Sequence, residues 1–145
     1  MNNTIKRLLG YFLYMIFFGL VFYWSLIYQQ YLERQMIGSF NAKLIMLYMA
    51  TYPVVLGMLL ALPLFICTVR KSGQWYLDWV KLLGVGLPSL YITFNVLIYF
   101  TLGNLLPNLF FWPGHRLLSI SEIPITMFGL IFGHTLLTAI KKKST

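Results

Sequence analysis

Four long uncharged runs limit what this chain can fold into. They cover residues 8–28, 44–69, 82–115 and 123–140, and none contains Asp, Glu, Lys or Arg. An α-helix rises about 1.5 Å per residue, so about 20 residues cross a hydrocarbon core of roughly 30 Å. The third run exceeds one crossing, and its surplus contains Gly103, Pro107 and Pro113, which favour a loop after Leu106. The pattern predicts transmembrane helices at about residues 8–28, 44–69, 82–106 and 123–140.

The composition agrees with a membrane protein. Of the 145 residues, 59% are hydrophobic and 10% are charged, against roughly 45–50% and 25% in globular proteins. The predicted helices leave no room for a second soluble domain. We therefore expect residues 1–145 to form one all-α, polytopic domain, in which four transmembrane helices make an antiparallel bundle.

The basic residues predict how the bundle is oriented. Eleven Lys and Arg oppose three acids, for a net charge of +8. Eight of the eleven precede the first span, separate the second from the third, or follow the fourth. Because short cytoplasmic loops retain Lys and Arg, both termini are predicted to be cytoplasmic, in a plasma membrane that we expect to be bacterial.

The basic loop and tail also indicate a partner. Their charges are dispersed beside tryptophans, a pattern that suits anionic lipid headgroups better than nucleic acid. Trp75 and Trp79 are four residues apart, so a helical loop would place both on one interfacial face. An ion pair of Asp78 with Lys81 is the simplest role for that acid. The predicted headgroup residues are Arg70, Lys71, Trp75, Trp79, Lys81, Lys141, Lys142 and Lys143.

The sequence offers little catalytic chemistry. The predicted spans have no carboxylate, which argues against small four-helix multidrug exporters that exchange cations for protons. HExxH, GxSxG and paired intramembrane aspartates are also missing. One cysteine, Cys67, excludes an intrachain disulfide and a Cys-based zinc site. We expect no catalytic residue, cofactor or metal.

Two of the polar residues inside the predicted spans are functional candidates. Asn95 is in the middle of the third span and should seek an interhelical hydrogen-bond partner. His134, in the fourth span, is predicted to lie at the depth of Ser89 and to face it. A proton-sensing or substrate-binding role and a structural hydrogen bond between helices are both open. Pro63 leaves the carbonyl of Leu59 without its helical donor, which makes that oxygen a further possible acceptor.

Small residues predict close helix contacts. Gly129 and Gly133 form a GxxxG pattern in the fourth span, which permits neighbouring backbones to approach. The sequence leaves open whether the neighbour belongs to this chain or to a partner. The predicted helix–helix contact residues are Gly57, Ala61, Gly86, Ser89, Thr93, Gly129 and Gly133.

Three functions are compatible with these features. The first is a non-enzymatic accessory or regulatory subunit that contacts another integral membrane protein, or its own copies, through the small-residue faces. The second is a small transporter or holin-like pore for a neutral or lipophilic solute, with its path lined by Ser89, Thr93, Asn95 and His134. The third is a lipid-modifying enzyme that uses an outer-loop cluster of His115, Arg116 and Glu122.

Overall fold

The computed structural model describes residues 3–39, 42–102, 111–112, 116 and 123–143. The longest elements are the helices α1 (Asn3–Ser39) and α2 (Ala42–Val69). The remaining elements, in chain order, are β1 (Gln74–Leu77), α3 (Trp79–Lys81), a π-helical turn (Leu82–Gly86), α4 (Leu87–Leu102), α5 (Ile123–Ala139) and β2 (Ile140–Lys143).

Among the described residues, three helices are long and apolar enough to cross a membrane, namely Leu8–Gln35, Leu44–Val69 and Trp79–Tyr99. A shorter apolar helix, α5, accompanies them. The predominance of helix in the described residues is consistent with the predicted all-α membrane class. The third helix begins at Trp79 rather than residue 82, and the fourth ends at Ala139 because the next four residues form β2. The predicted end of the third helix near Leu106 lies outside the described residues.

Helix α1 packs against α2 in an antiparallel pair. The less exposed residues of α1 recur every three or four positions along one stripe, at Tyr14, Phe18, Val21, Ser25, Gln29 and Leu32. This spacing averages 3.6 residues, the period of an α-helix, so these residues form one continuous seam that faces α2. The Tyr48 hydroxyl of α2 donates a hydrogen bond to the Ser25 carbonyl at 2.9 Å.

Helices α2, α4 and α5 form a tighter group. The hydroxyl oxygens of Tyr52 and Thr126 lie 3.2 Å apart. Farther along both helices, Gly57 of α2 lies against Leu130 of α5, so α2 and α5 run in the same direction. Helix α4 is antiparallel to α5, because Gly86 lies near Thr135 at one end and Thr93 near Gly129 farther along. Successive long helices therefore alternate in direction.

Prolines perturb these helices in two ways. In α2, Pro63 frees the Leu59 carbonyl, and the Tyr14 hydroxyl of α1 donates a hydrogen bond to it. The acceptor predicted from Pro63 thus serves the α1–α2 contact. The π-helical turn ends two residues before Pro88, the second residue of α4, which has no N–H to donate to the Gly84 carbonyl four residues back. There, the Leu87 N–H donates to the Leu82 carbonyl, five residues back.

The predicted helical face of Trp75 and Trp79 is wrong. Residues 74–77 form β1, which pairs antiparallel with β2, and only Trp79 is helical. Gly73 makes the turn into β1 with a φ of 143°, a backbone conformation that residues with a side chain rarely adopt. The loop between α2 and α3 is consequently tied to the residues that follow α5.

Candidate headgroup-binding site

The site lies where the β1–β2 sheet closes one end of the helix group. The register pairs Trp75 with Lys142 and Tyr76 with Lys141. The Asp78 N–H extends the pairing by donating to the Ala139 carbonyl at 2.9 Å. Two paired strands alone are marginally stable. The contacts that the lysines make with neighbouring residues therefore help to stabilise the sheet.

Lys142 ties the sheet to the end of α2. Its ammonium donates hydrogen bonds to the carbonyls of Val69, at 2.8 Å, and Lys71, at 2.9 Å. The same nitrogen lies 4.5 Å from the centroid of the Trp75 ring, a cation–π distance. A cation at a helix C-terminus satisfies carbonyls that lack intrahelical donors and interacts favourably with the helix dipole.

The predicted ion pair of Asp78 with Lys81 is wrong, because the Asp78 carboxylate pairs with Lys141 instead. The Lys141 ammonium lies 2.6 Å from the Asp78 carboxylate. Its hydrogen bond lowers the pKa of Asp78, with a smaller contribution from the Lys81 backbone N–H, which donates to the same carboxylate. The pKa of Lys141 is raised by the hydrogen bond and by the charge of Asp78. Asp78 also caps the start of α3. Each of its two carboxylate oxygens therefore accepts a hydrogen bond, one from the Lys81 N–H and the other from the Lys141 ammonium.

A cavity of about 450 Å³, which we call the basic pocket, opens between α2, α5 and the sheet. Its lining combines apolar side chains with four lysines and a half-buried histidine. Its lining residues are Leu64, Phe65, Cys67, Thr68, Lys71, Tyr76, Lys81, His134, Leu137, Thr138, Lys141 and Lys142.

His134 contributes to this pocket rather than facing Ser89. The Ser89 hydroxyl donates to the Val85 carbonyl of its own helix. One helical turn beyond His134, the Thr138 hydroxyl donates to the His134 carbonyl at 2.7 Å and accepts from the Lys81 ammonium at 2.7 Å. Lys81 and His134 therefore line one concave surface, although they come from different helices.

The other predicted headgroup residues are distributed around the pocket. Lys143 pairs with Gln74 in the sheet, and Trp79 is exposed at the start of α3. Arg70 lies on the other side of α2, in a separate groove of about 280 Å³ that Gly10 and Tyr14 of α1 also line. Arg70 and Lys71 are adjacent in sequence but face different cavities.

The small residues meet within the chain. A Cβ on Gly133 would overlap the Val54 carbonyl and lie 2.9 Å from the Met58 nitrogen, and one on Gly57 would lie 2.9 Å from the Leu130 Cα. Gly129 faces Pro53, with a Cβ distance of 2.6 Å. The backbones of α2 and α5 are therefore in direct contact, as small residues allow.

The remaining small residues lie mostly beside α5. Ala61 of α2 is fully buried. Gly86 approaches Thr135, and Thr93 lies near Gly129. Ser89 and Thr93 are buried, with their hydroxyls bonded to carbonyls one turn back. Such bonds satisfy a buried hydroxyl within its own helix.

Asn95 is 2% exposed, and its Nδ2 has no hydrogen-bond partner within the described residues. The interhelical partner expected for that amide nitrogen is therefore not found there. A separate cavity of about 40 Å³ is lined by Thr93, Gln29 and neighbouring side chains, but neither this cavity nor the basic pocket is lined by Asn95 or Ser89. The four residues of the predicted transport path do not share either cavity.

The predicted outer-loop cluster is described only in part. His115 and Glu122 lie outside the described residues. The Arg116 guanidinium lies 5.7 Å from the centroid of the Trp112 ring. Among the residues that the structure describes, no group of three His, Cys, Asp or Glu side chains is arranged to hold a metal ion.

Sequence reasoning missed the sheet and therefore the pocket. The local signal was the aromatic pair in Gln74–Leu77, since aromatic residues favour strands. Its partner strand, β2, comes only after α3, α4 and α5 in the chain, and no local pattern indicates that pairing.

Comparisons with known proteins add no relative. No protein-family model matches this chain, and no curated protein or solved structure matches it significantly.

Proposed function

We propose that the chain crosses a bacterial plasma membrane four times, with both termini in the cytoplasm. The β1–β2 hydrogen bonds support this topology, because two paired strands must lie on the same side of a membrane. The chain between them must then cross an even number of times. The helix Trp79–Tyr99 supplies one crossing, and α5 is the apolar helix available for the other.

The charge distribution supports the orientation. The sheet gathers Lys71, Lys141 and Lys142 at one end of the helices. Arg70 lies at the same end, beside Gly10 near the start of α1. A concentration of basic residues at one end is typical of the cytoplasmic side.

We further propose that the protein is a non-enzymatic accessory or regulatory subunit that binds another integral membrane protein. The observation that carries this proposal is the exposure of α1, since no residue in its most apolar stretch is buried. The small-residue faces of α2 and α5 are already occupied by each other. The partner surface is therefore assigned to α1 instead.

The outer face of α1 has a shape suited to another helix. Opposite the seam with α2 lie Phe12, Ile16, Tyr23 and Ile27, all exposed. Gly19 lies between them, and a Cβ there would meet no atom within 4 Å. A glycine between large side chains gives a neighbouring helix a place for close backbone contact. We call these five residues the outer α1 face.

Site-specific photocrosslinking in native membranes tests this assignment. A photoreactive amino acid at Ile16 or Tyr23 should give one discrete adduct with another membrane protein. The same amino acid at Leu87 or Leu90, which are exposed on α4, is the matched control and should give no such adduct. Equal labelling from both helices, or no protein adduct from α1, would contradict the proposal. An adduct of twice the chain mass would assign the face to a second copy.

The topology has its own test. In a Cys67→Ala background, a cysteine at Ser72 should react with a membrane-impermeant maleimide only after the cytoplasmic side is opened. A cysteine at Ser39 should react from outside. The reverse pattern would overturn the orientation without affecting the assignment of the α1 face.

A further inference from the structure

We propose that the basic pocket binds the phosphate group of an anionic lipid. This site differs from the outer α1 face and does not depend on the accessory role. The pocket combines the two surfaces that a lipid requires. Leu64, Phe65 and Leu137 provide an apolar wall for an acyl chain, and the lysines provide a cationic wall at the end of the helices.

The charge around the pocket is poorly balanced by the protein. Four lysines line one cavity, whereas Asp78 is paired with Lys141. Neighbouring ammonium groups repel one another, and the repulsion is strongest where water is partly excluded. A bound anion would offset this cost, and a basic pocket beside cytoplasmic helix ends is a recurrent binding site for anionic lipid headgroups.

The lysines differ in the donors that they can offer. Lys141 and Lys142 hold the sheet through Asp78 and the carbonyls that end α2. Lys81 uses one of its three N–H donors on Thr138. The Lys71 ammonium has no hydrogen bond to another described residue. Lys71 and Lys81 are therefore the assigned phosphate ligands, since charge-assisted hydrogen bonds to phosphate are among the stronger ones.

The dimensions also suit a ligand. The cavity volume of about 450 Å³ falls in the range of roughly 300–1,000 Å³ that is common for small-molecule sites. Lysines bind phosphate as point charges and adapt to its position, whereas guanidinium groups impose a fixed bidentate geometry. A lysine-lined pocket is therefore suited to a mobile headgroup.

Titration of the full chain in detergent, followed by native mass spectrometry, tests the proposal. Phosphatidylglycerol should bind as one retained molecule at a lower concentration than phosphatidylcholine. Changing Lys71→Gln and Lys81→Gln together should weaken phosphatidylglycerol binding about 30-fold, given the attraction of each cation near an anionic surface. Lys71→Arg with Lys81→Arg should restore binding by restoring both charges.

Arg70→Gln is the matched control. It removes one charge from the same loop but lies outside the basic pocket, so it should have a much smaller effect than Lys71→Gln. Equal losses from these two single variants would indicate general surface attraction and overturn the proposal.

Competition by inorganic phosphate distinguishes a lipid from a soluble anion. An excess of phosphate should leave phosphatidylglycerol bound, because phosphate lacks the acyl chain that contacts the apolar wall. Displacement by phosphate would overturn the assignment to lipid. If circular dichroism shows that the glutamine variant does not fold, the comparison of the two lipids on the wild-type chain still tests the proposal. Equal retention of phosphatidylglycerol and phosphatidylcholine by the wild-type chain would refute the site.

Discussion

Replacing Gly133 by alanine should weaken the contact between α2 and α5. The added methyl group would overlap the Val54 carbonyl and lie 2.9 Å from the Met58 nitrogen. Both atoms belong to backbone, so no side-chain rotation can make room. The two helices must separate, and a gap of about 0.5–1 Å forfeits roughly a quarter to a half of the dispersion energy of the affected contacts. We expect a loss of about 1–3 kcal/mol in the free energy of unfolding, as for overpacked cores.

A series of glycine variants provides the controls. At Gly86, the nearest atom to an added Cβ is 3.5 Å away, and at Gly10 no atom lies within 4 Å. Gly86→Ala should therefore be tolerated, and Gly10→Ala should be neutral or slightly stabilising because alanine favours helix. Unfolding in mixed micelles with increasing SDS, followed by circular dichroism, measures the differences. Equal stabilities for Gly133→Ala and Gly10→Ala would refute the assigned backbone contact.

Three further changes test individual interactions. Asn95→Leu should leave thermal stability unchanged or raise it, because it removes a buried Nδ2 that has no partner within the described residues; a clear loss in a melting experiment would contradict this. Tyr14→Phe should cost about 0.6 kcal/mol, and at most about 1.7, by removing the hydrogen bond to α2, whereas exposed Tyr11→Phe should cost nothing in the same SDS titration. The pKa of Asp78 is lowered below 3.8 by its bond to Lys141, so the stability that this carboxylate gives the sheet is present above pH 3.8 and lost as the pH falls through the lowered value. The pKa of Lys141 is raised above 10.5, so its contribution is present below pH 10.5 and lost as the pH rises through the raised value. Amide hydrogen exchange in β2, corrected for the intrinsic rate, should show protection between these two limits, and protection that stays unchanged as the pH is lowered progressively below 3.8 would be contrary evidence.

The helices could be predicted from sequence because a membrane-spanning signal is local. Uncharged runs locate α2 and α5 to within two residues, whereas the apolar part of α1 continues to Gln35, seven residues beyond the predicted end at residue 28. The small-residue pattern likewise predicted close contacts, but it did not predict that Gly133 would meet Val54 within the same chain. Faces that accept a helix of this chain and faces that accept a partner have the same composition.

The site was less predictable because its contacts are distant in sequence. The lysines were recognised as headgroup residues from their charge. Their arrangement depends on pairing Gln74 with Lys143, 69 positions away, and on the bond from Lys81 to Thr138. A four-residue interval between Trp75 and Trp79 favoured a helix, but the long-range pairing of β1 overrides such local preferences.

The two strands also impose an order on biosynthesis. At about 5–20 residues per second, translation separates Gln74 from Lys143 by roughly 3–14 s. During that interval β1 has no partner strand, and it acquires one only after the intervening helices have been made and β2 has reached the same side of the membrane. In the proposed topology, closure of the sheet would follow the insertion of the helices between its two strands. A nascent chain arrested before β2 would contain the helices up to α5 but would lack Lys141 and Lys142, so its basic pocket would be incomplete.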